Sequence, residues 1–240
     1  MLPRAFSESL LTDDVVLGDT ESHHLLHVLR LKAGDPLCLF DGCGIEADAV
    51  ITRQTRREVF CAVTARRKSP PVTGARVTVI AAPPKADRLK WMIEKLTEIG
   101  VERLILLQTD RTVVSPGESR IDKLRASVIS ACKQCRRNDF MELSPLQPLA
   151  SVLEDVATQR LPGKLWIAHP AQEGLAQESD PVETSDKSQL LLIGPEGGFT
   201  EDEVAAALKA GAKIISWPRT ILRIETAALV FAAHLQSLDD

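Results

Sequence analysis

The chain has 240 residues, is 44% hydrophobic and 26% charged, and carries a formal net charge of −4. Length and composition fit one large globular domain or two small ones, and exclude a disordered chain, which would hold fewer apolar residues and more net charge. No apolar run reaches the ~18 residues of a membrane-spanning helix, the first six residues lack a secretory apolar region, and five scattered cysteines do not make a disulfide framework, so the expected compartment is the reducing cytoplasm.

Residues 1–70 read as mostly β. Val15-Val16-Leu17, Pro36–Phe40, the alternating Ile45–Val50 after the Asp41-Gly42 turn signal, and Val59–Val63 are candidate strands. A helix is predicted over 21–31, with Leu25, Leu26, Val28, Leu29 and Leu31 on one side. Short, regularly spaced strands suggest a small barrel, and Ser69-Pro70-Pro71 marks its end. From residue 75 strands alternate with helices. Strands are predicted at Val77–Ala81, Leu104–Leu107, Leu165–Ala168, Leu190–Ile193 and Ala212–Trp217. Helices are predicted from Leu89 to Ile99, over 121–135, over 201–210 behind a Thr200/Glu203 capping box, and over 225–238 with Ala227, Phe231, His234 and Leu238 on one stripe. Residues 172–188 read as a polar exposed loop. This alternation predicts a mostly parallel sheet covered on both faces.

Charge is uneven. Residues 49–70 carry a local balance of +5 and residues 111–140 one of +4, on a chain that is acidic overall. Such segments suit a surface that tracks phosphates, although solvated surface explains them equally well.

Two stretches carry chemistry. Leu190–Ile193 runs into Gly194-Pro195-Glu196-Gly197-Gly198-Phe199-Thr200, a buried strand leading through a glycine-rich turn to a capped helix. Ligands bind at such strand ends in α/β sheets, and glycines let a backbone approach them. The turn matches neither a P-loop nor a dinucleotide fingerprint, and a ligand-free tight turn remains open. The second stretch, Ile221–Ala228, places Arg223 and Glu225 where the last predicted strand passes into an alanine-rich helix. Arginine suits a phosphate or a base oxygen, and a carboxylate is favoured in a helix's first turn. The plainer alternative is that Glu225 caps the helix and Arg223 pairs with it.

Together these stretches closely resemble the RsmE family, SPOUT-superfamily methyltransferases acting on ring N3 of a uridine in 16S rRNA. His23-His24-Leu25-x-x-Val28-Leu29-Arg30, Phe40-Asp41-Gly42-x-Gly44, Pro84-Lys85-x-Asp87-Arg88, Lys95-x-x-Glu98-Ile99-Gly100-Val101 and Gln134-x-x-Arg137-Asn138 resemble further landmarks of the family in the same order. The resemblance implies a PUA-like barrel in 1–70 and a trefoil-knotted α/β domain in 75–240 that binds S-adenosylmethionine, normally as a homodimer through the knot domain. It places Ile193, Gly194, Glu196, Gly197, Gly198, Ser216, Trp217, Pro218, Ile221, Leu222, Arg223, Thr226 and Ala227 at the cofactor, whose adenine would be read by main-chain groups. Trp217-Pro218 departs from the family's usual Leu-Gly, which removes one main-chain donor. Lys133 stands where an acidic residue is common.

On this resemblance the partner is 16S rRNA or the 30S subunit. Arg223 would stabilise the anionic base or a phosphate, and Glu225 would orient Arg223 or, less favoured, accept the N3 proton. Arg4, His24, Arg30, Arg53, Arg56, Arg57, Lys85, Gln134 and Arg137 are the candidate RNA contacts. His23, His24 and His27 lack a fourth ligand at a recognised zinc spacing, and Cys132-x-x-Cys135 lacks a partner pair, so no metal is expected.

Overall fold

The structure, a computed structural model, describes residues 2–70, 74–114, 117–170 and 188–237, without the side chains of 118–120. The expected loop over 172–188 lies outside the described residues but for its last residue, which opens a strand, and Leu238 lies outside them too. Two compact units emerge. One joins 1–72 to 129–140, and the other joins 73–128 to 141–240.

The first unit holds β1 (Arg4–Phe6), β2 (Asp14–Val16), α1 (Asp19–His23), β3 (Pro36–Phe40), β4 (Ile45–Gln54) and β5 (Val59–Lys68). The strands lie in the order β1-β3-β4-β5-β2, antiparallel except for β1 beside β3. Alternation sorts β4: Ala47, Ala49 and Ile51 join Leu37, Leu39, Val59 and Cys61 in one core, while Glu46 and Asp48 turn outward to Arg67. Register shifts at Asp48/Ala49 and Ile51/Arg53 bend the β4–β5 pair, as bulges do. Residues 129–140 complete this unit: Gly44 N donates to Asn138 O at 3.0 Å, and the Phe140 ring packs on Phe6 and Phe40. Gly42 has φ +72°, and a Cβ there would meet the Phe140 ring at 2.2 Å, so only glycine fits.

The helix expected over 21–31 differs in kind. It begins as α1 and continues as a π-helical turn over His24–Val28. Because that turn does not keep the 3.6-residue period, Leu25 is fully buried while Val28 and Leu29 are exposed. The apolar stripe expected through both residues is therefore broken.

The second unit holds β6 (Arg76–Ala81), α2 (Ala86–Glu98), β7 (Arg103–Gln108), β8 (Glu142–Pro148), α4 (Leu149–Ala157), β9 (Lys164–Ala168), β10 (Ser188–Ile193), α5 (Glu201–Lys209), β11 (Lys213–Ile215) and α6 (Ile224–Gln236). The chain between β7 and β8 forms α3 (Glu118–Cys135), whose last turns belong to the first unit. All six strands are parallel, in the order β11-β9-β10-β6-β7-β8. One face gives Ile80, Ile105, Ile167, Leu190 and Leu192 to a core shared with Val152 and Val156 of α4 and Val204 and Ala207 of α5. Across the sheet α6 packs on β6 and β10, and on α2. Burial on both faces explains why these strands read as unbroken apolar runs.

Three further differences stand out. β8 and α4 are not among the expected elements, because β8 itself carries Pro145 and Pro148 and shows no strand pattern; it is an edge strand, where proline is tolerated. β11 is shorter than expected and stops before Trp217-Pro218. In α6 the buried stripe is Ala228, Phe231, Ala232 and Leu235, so His234, expected on it, is exposed instead.

Candidate active site

Parallel register lines up the carboxyl ends of four strands. Ile193 pairs with Ala168 and with Ala81, and Ala168 pairs with Ile215. His169 N then donates to Ile215 O at 3.1 Å, and Ala82 N to Ile193 O at 2.9 Å. Gly194, His169 and Ser216 therefore leave the sheet side by side, at the edge where such sheets bind ligands.

The glycine-rich turn after β10 is held from both ends. Gly198 N donates to Pro195 O at 2.8 Å, and Gly198 takes φ +69°. Arg111 Nη1 donates to Gly197 O at 2.7 Å. The capping box forms: Thr200 Oγ1 accepts from Glu203 N at 3.2 Å, and Glu203 Oε2 accepts from Thr200 N at 2.8 Å. The other oxygen of Glu203 accepts from Asp110 N at 2.9 Å, so one buried carboxylate ties the turn to the chain after β7. A Cβ on Gly194 would stand 3.0 Å from the Phe199 ring, so that glycine permits the ring to close over the strand end.

Beside this edge lies a cavity of about 330 Å³ lined by Ala168, His169 and Pro170, by 217–222, and by Ala227 and Phe231. Its walls are mostly apolar and its size falls in the range of small-ligand sites. Residues 216–222 belong to no helix or strand, and their backbone groups make no backbone hydrogen bonds among the described residues. An adenosine-bearing ligand fits these walls: apolar surface for its ring and uncommitted main-chain groups for its polar edge. Of the expected cofactor residues, Trp217, Pro218, Ile221, Leu222 and Ala227 line this space. Ile193, Gly194, Glu196, Gly197, Gly198 and Ser216 stand at the adjacent strand ends, outside its lining. Sequence reading missed Ala168, His169 and Pro170, since β9 carries no motif and only its place between β11 and β10 brings them here.

Arg223 and Thr226 face a second cavity of about 360 Å³, with Asp87, Arg88, Trp91 and Glu225. Glu225 sits in the first turn of α6, where the helix dipole favours its charge. Its side chain is 8% exposed. The expected pairing of Glu225 with Arg223 does not form: Arg88 Nη1 lies 3.8 Å from Glu225 Oε1 and 3.7 Å from Glu196 Oε1. Among the described residues, Glu225 Oε2 is buried without a hydrogen-bond partner. Arg223, the N-cap residue of α6, is exposed, and its side chain makes no ion pair or hydrogen bond among the described residues.

The expected RNA contacts separate into groups. Arg4, His24 and Gln134 line one cavity of the first unit together with Lys133 and Arg136, and Arg56 and Arg57 line another with His23 and His27. Arg30 and Arg53 are exposed outside both, with Arg53 stacked over Phe60 at 3.9 Å. Lys85 is exposed at the start of α2, in the second unit. Arg4 and Arg137 are not free surface cations: Arg4 is buried against Asn138 and Phe40, and Arg137 is held by Asp139 at 2.9 Å. Lys133 is paired with Glu21 at 2.7 Å. Internal pairing also absorbs part of the basic 49–70 segment, since Arg66 meets Asp13 and Arg67 meets Glu46 and Asp48. His23 and His27 pack with tilted rings, centroids 4.7 Å apart, while His24 faces the other cavity.

Comparison with known proteins agrees with this geometry. A family model described as an RNA methyltransferase domain matches residues 72–236, and one described as an RNA methyltransferase PUA domain matches 17–64. The ribosomal RNA small subunit methyltransferase E of Mycobacterium tuberculosis is 34% identical over 90% of this chain and 83% of its own. That of Bacillus subtilis is 28% identical over 87% and 84%. Among solved structures, a probable rRNA-methyltransferase from Porphyromonas gingivalis superposes with TM-score 0.85 at 33% identity, covering 98% of this chain and 99% of its own. The ribosomal RNA small subunit methyltransferase E from Neisseria gonorrhoeae, bound to S-adenosyl methionine, gives TM-score 0.87 at 26% identity, covering 99% and 98%. With a PUA-like unit leading into a parallel-sheet α/β unit of SPOUT type, and matches along nearly its full length, this chain belongs to the RsmE family of RNA methyltransferases.

Proposed function

We propose that the protein transfers a methyl group from S-adenosylmethionine to ring N3 of a uridine in the 16S rRNA of the small ribosomal subunit. The observation that carries this reading is the pair of cavities sharing the 222–227 segment as a wall. Leu222 and Ala227 face the apolar one, and Arg223, Glu225 and Thr226 face the charged one. The first suits an adenosine-bearing donor and the second a polar acceptor. Bound in the first, S-adenosylmethionine supplies a methyl group already activated on a sulfonium. The turn at 194–198, fixed by Arg111 and Glu203, keeps the cofactor-side backbone in place. Arg223 supplies a permanent cation, without an ion-pair partner among the described residues, for charge that develops on the base. The target uridine must be unpaired or turned out of its helix, because pairing hides N3.

In this reading residues 1–70 provide RNA affinity and 75–240 the chemistry. The exposed Arg30, Arg53, Arg56, Arg57, Lys85 and Gln134 meet phosphates, while Arg4, His24 and Arg137 shape the surface that presents them. The working protein is a cytoplasmic homodimer joined through its C-terminal unit; no helix among the described residues is long and apolar enough to cross a membrane. The test offers 30S particles and naked 16S rRNA, from cells lacking the protein, to the purified chain with labelled S-adenosylmethionine, and maps the product by mass spectrometry. A single N3-methyluridine is expected, and Arg223→Ala should abolish turnover while the protein stays folded. Methylation of a ribose or of another base, or near-normal turnover by Arg223→Ala, would refute the assignment.

A further inference from the structure

We infer that Arg88, Glu225 and Arg223, with the ring of Trp91, form a pocket that reads the imide edge of uracil, and that Glu225 takes the N3 proton. The inference rests on the proposed uridine methylation and adds to it the groups that select the base. Glu225 is buried, yet among the described residues Oε2 has no hydrogen-bond partner, while Arg88 pairs with Oε1. A buried carboxylate oxygen without a donor is costly, and Glu225 is one of the residues lining the cavity, which points to a ligand that brings an N–H. Two arginines line the same cavity, and Arg223 makes no ion pair or hydrogen bond among the described residues. Taken together the lining offers two cationic donors and one carboxylate acceptor. Uracil presents the complement: a carbonyl, the N3–H, and a second carbonyl. Cytosine presents an amino group and a bare ring nitrogen there and would be mismatched with both Arg and Glu225. Trp91 lines the same cavity and is 44% exposed, which places an accessible aromatic side chain beside the site for a base to pack upon.

The step balances. The N3–H bond breaks with its proton passing to Glu225 Oε2, the nitrogen's electron pair forms the new N–C bond, and the S–C bond's electron pair remains on sulfur as S-adenosylhomocysteine leaves. The charged groups that share the cavity with Glu225 are Asp87 and Arg88 from α2 and Arg223 from the start of its own helix, and Arg88 also pairs with Glu196 of the glycine-rich turn. Arg88 bridges Glu196 and Glu225, so the base pocket and the cofactor turn are mechanically linked.

The test compares the full-length wild type with Glu225→Gln and Trp91→Ala on 30S particles, and on a transcript whose mapped target uridine is kept or replaced by cytidine. Wild type should bind the uridine transcript at least tenfold more tightly than the cytidine one. Glu225→Gln should lose about 100-fold in turnover, the lower range for a general base. Raising the pH until uracil N3 ionises on its own should restore much of that loss, which a structural role for Glu225 would not do. Trp91→Ala should raise KM for RNA about tenfold with less effect on kcat. A wild type that methylates no uridine sinks the functional reading and this inference with it. A wild type that does, with Glu225→Gln losing less than threefold, failing to recover in alkali or changing sedimentation, overturns this inference alone.

Discussion

Glu203 lets the mechanics of the cofactor turn be measured. Its carboxylate accepts from Thr200 N on one oxygen and from Asp110 N on the other, and it is buried. Thr200→Ala removes only the hydroxyl's bond to Glu203 N, the loss of an N-cap, at about 1 kcal/mol. In a chain of this length that lowers the melting temperature by about 2–4 °C. Glu203→Ala strands two backbone N–H groups, each costing about 1–3 kcal/mol when left unpaired, so its fall should be at least twice as large. Glu203→Gln keeps one acceptor oxygen and should fall between them. The three share one network, so their costs will not add. Asp110 precedes Arg111, which holds Gly197, so the slackened turn should also bind S-adenosylmethionine more weakly in the same order. Thermal unfolding of the C-terminal unit and calorimetry with the cofactor read both effects. A Glu203→Ala protein as stable as Thr200→Ala, with full cofactor affinity, would refute the tie between the strand ends and the turn.

Gly42→Ala should destabilise the N-terminal unit by about 2–4 kcal/mol, since it forces a left-handed backbone on a Cβ that already overlaps the Phe140 ring; denaturant unfolding would show it, and a neutral result would deny the contact. Burial pushes the Cys38 and Cys61 thiols up to about 11 and Cys132 to about 12 from an ordinary 9.0. A thiol reagent at pH 8 should therefore modify exposed Cys43 first and spare these three until unfolding, as intact mass would record. Because their folded values lie above the unfolded one, unfolding releases protons in alkali, and stability should fall as pH rises from about 9 towards 11. Arg56→Ala and Arg57→Ala should each lessen the salt dependence of RNA binding by about one counterion, measured as the slope of log affinity against log salt. Arg137→Ala should lower stability instead, as its guanidinium serves Asp139.

What could be read from the sequence follows what is local. The capping box at Thr200 and Glu203 is visible because both partners lie within one turn. β6, β7, β9 and β10 are visible because burial on two faces demands continuous apolar residues. β8 is hidden, since an edge strand needs neither that run nor the N–H groups its prolines lack. The π-helical turn at His24–Val28 defeats a reading based on the α-helical period and turns Val28 and Leu29 outward. The cavities are non-local. His169 becomes a wall residue only because β9 lies between β11 and β10, and Arg88 meets Glu225 only because α2 packs on α6. A motif singles out Arg223 and Glu225 as neighbours in sequence, but the fold gives the carboxylate to a different arginine.

That exchange has a physical logic. A buried carboxylate must be compensated, and the start of α6 offers compensation twice over, from the positive end of the helix and from Arg88. Had Arg223 supplied the counter-charge, its guanidinium would be held within its own turn and unavailable to a substrate. Drawing the partner from α2 instead leaves Arg223 exposed and keeps Glu225 Oε2 free. The same arginine reaches Glu196 on the glycine-rich turn, so a single side chain couples the cofactor loop, the carboxylate and the helix that divides the two cavities. Close packing at 194 and left-handed geometry at 198 then serve one end: they hold the backbone of that loop in the place where Arg88 can reach its carboxylate.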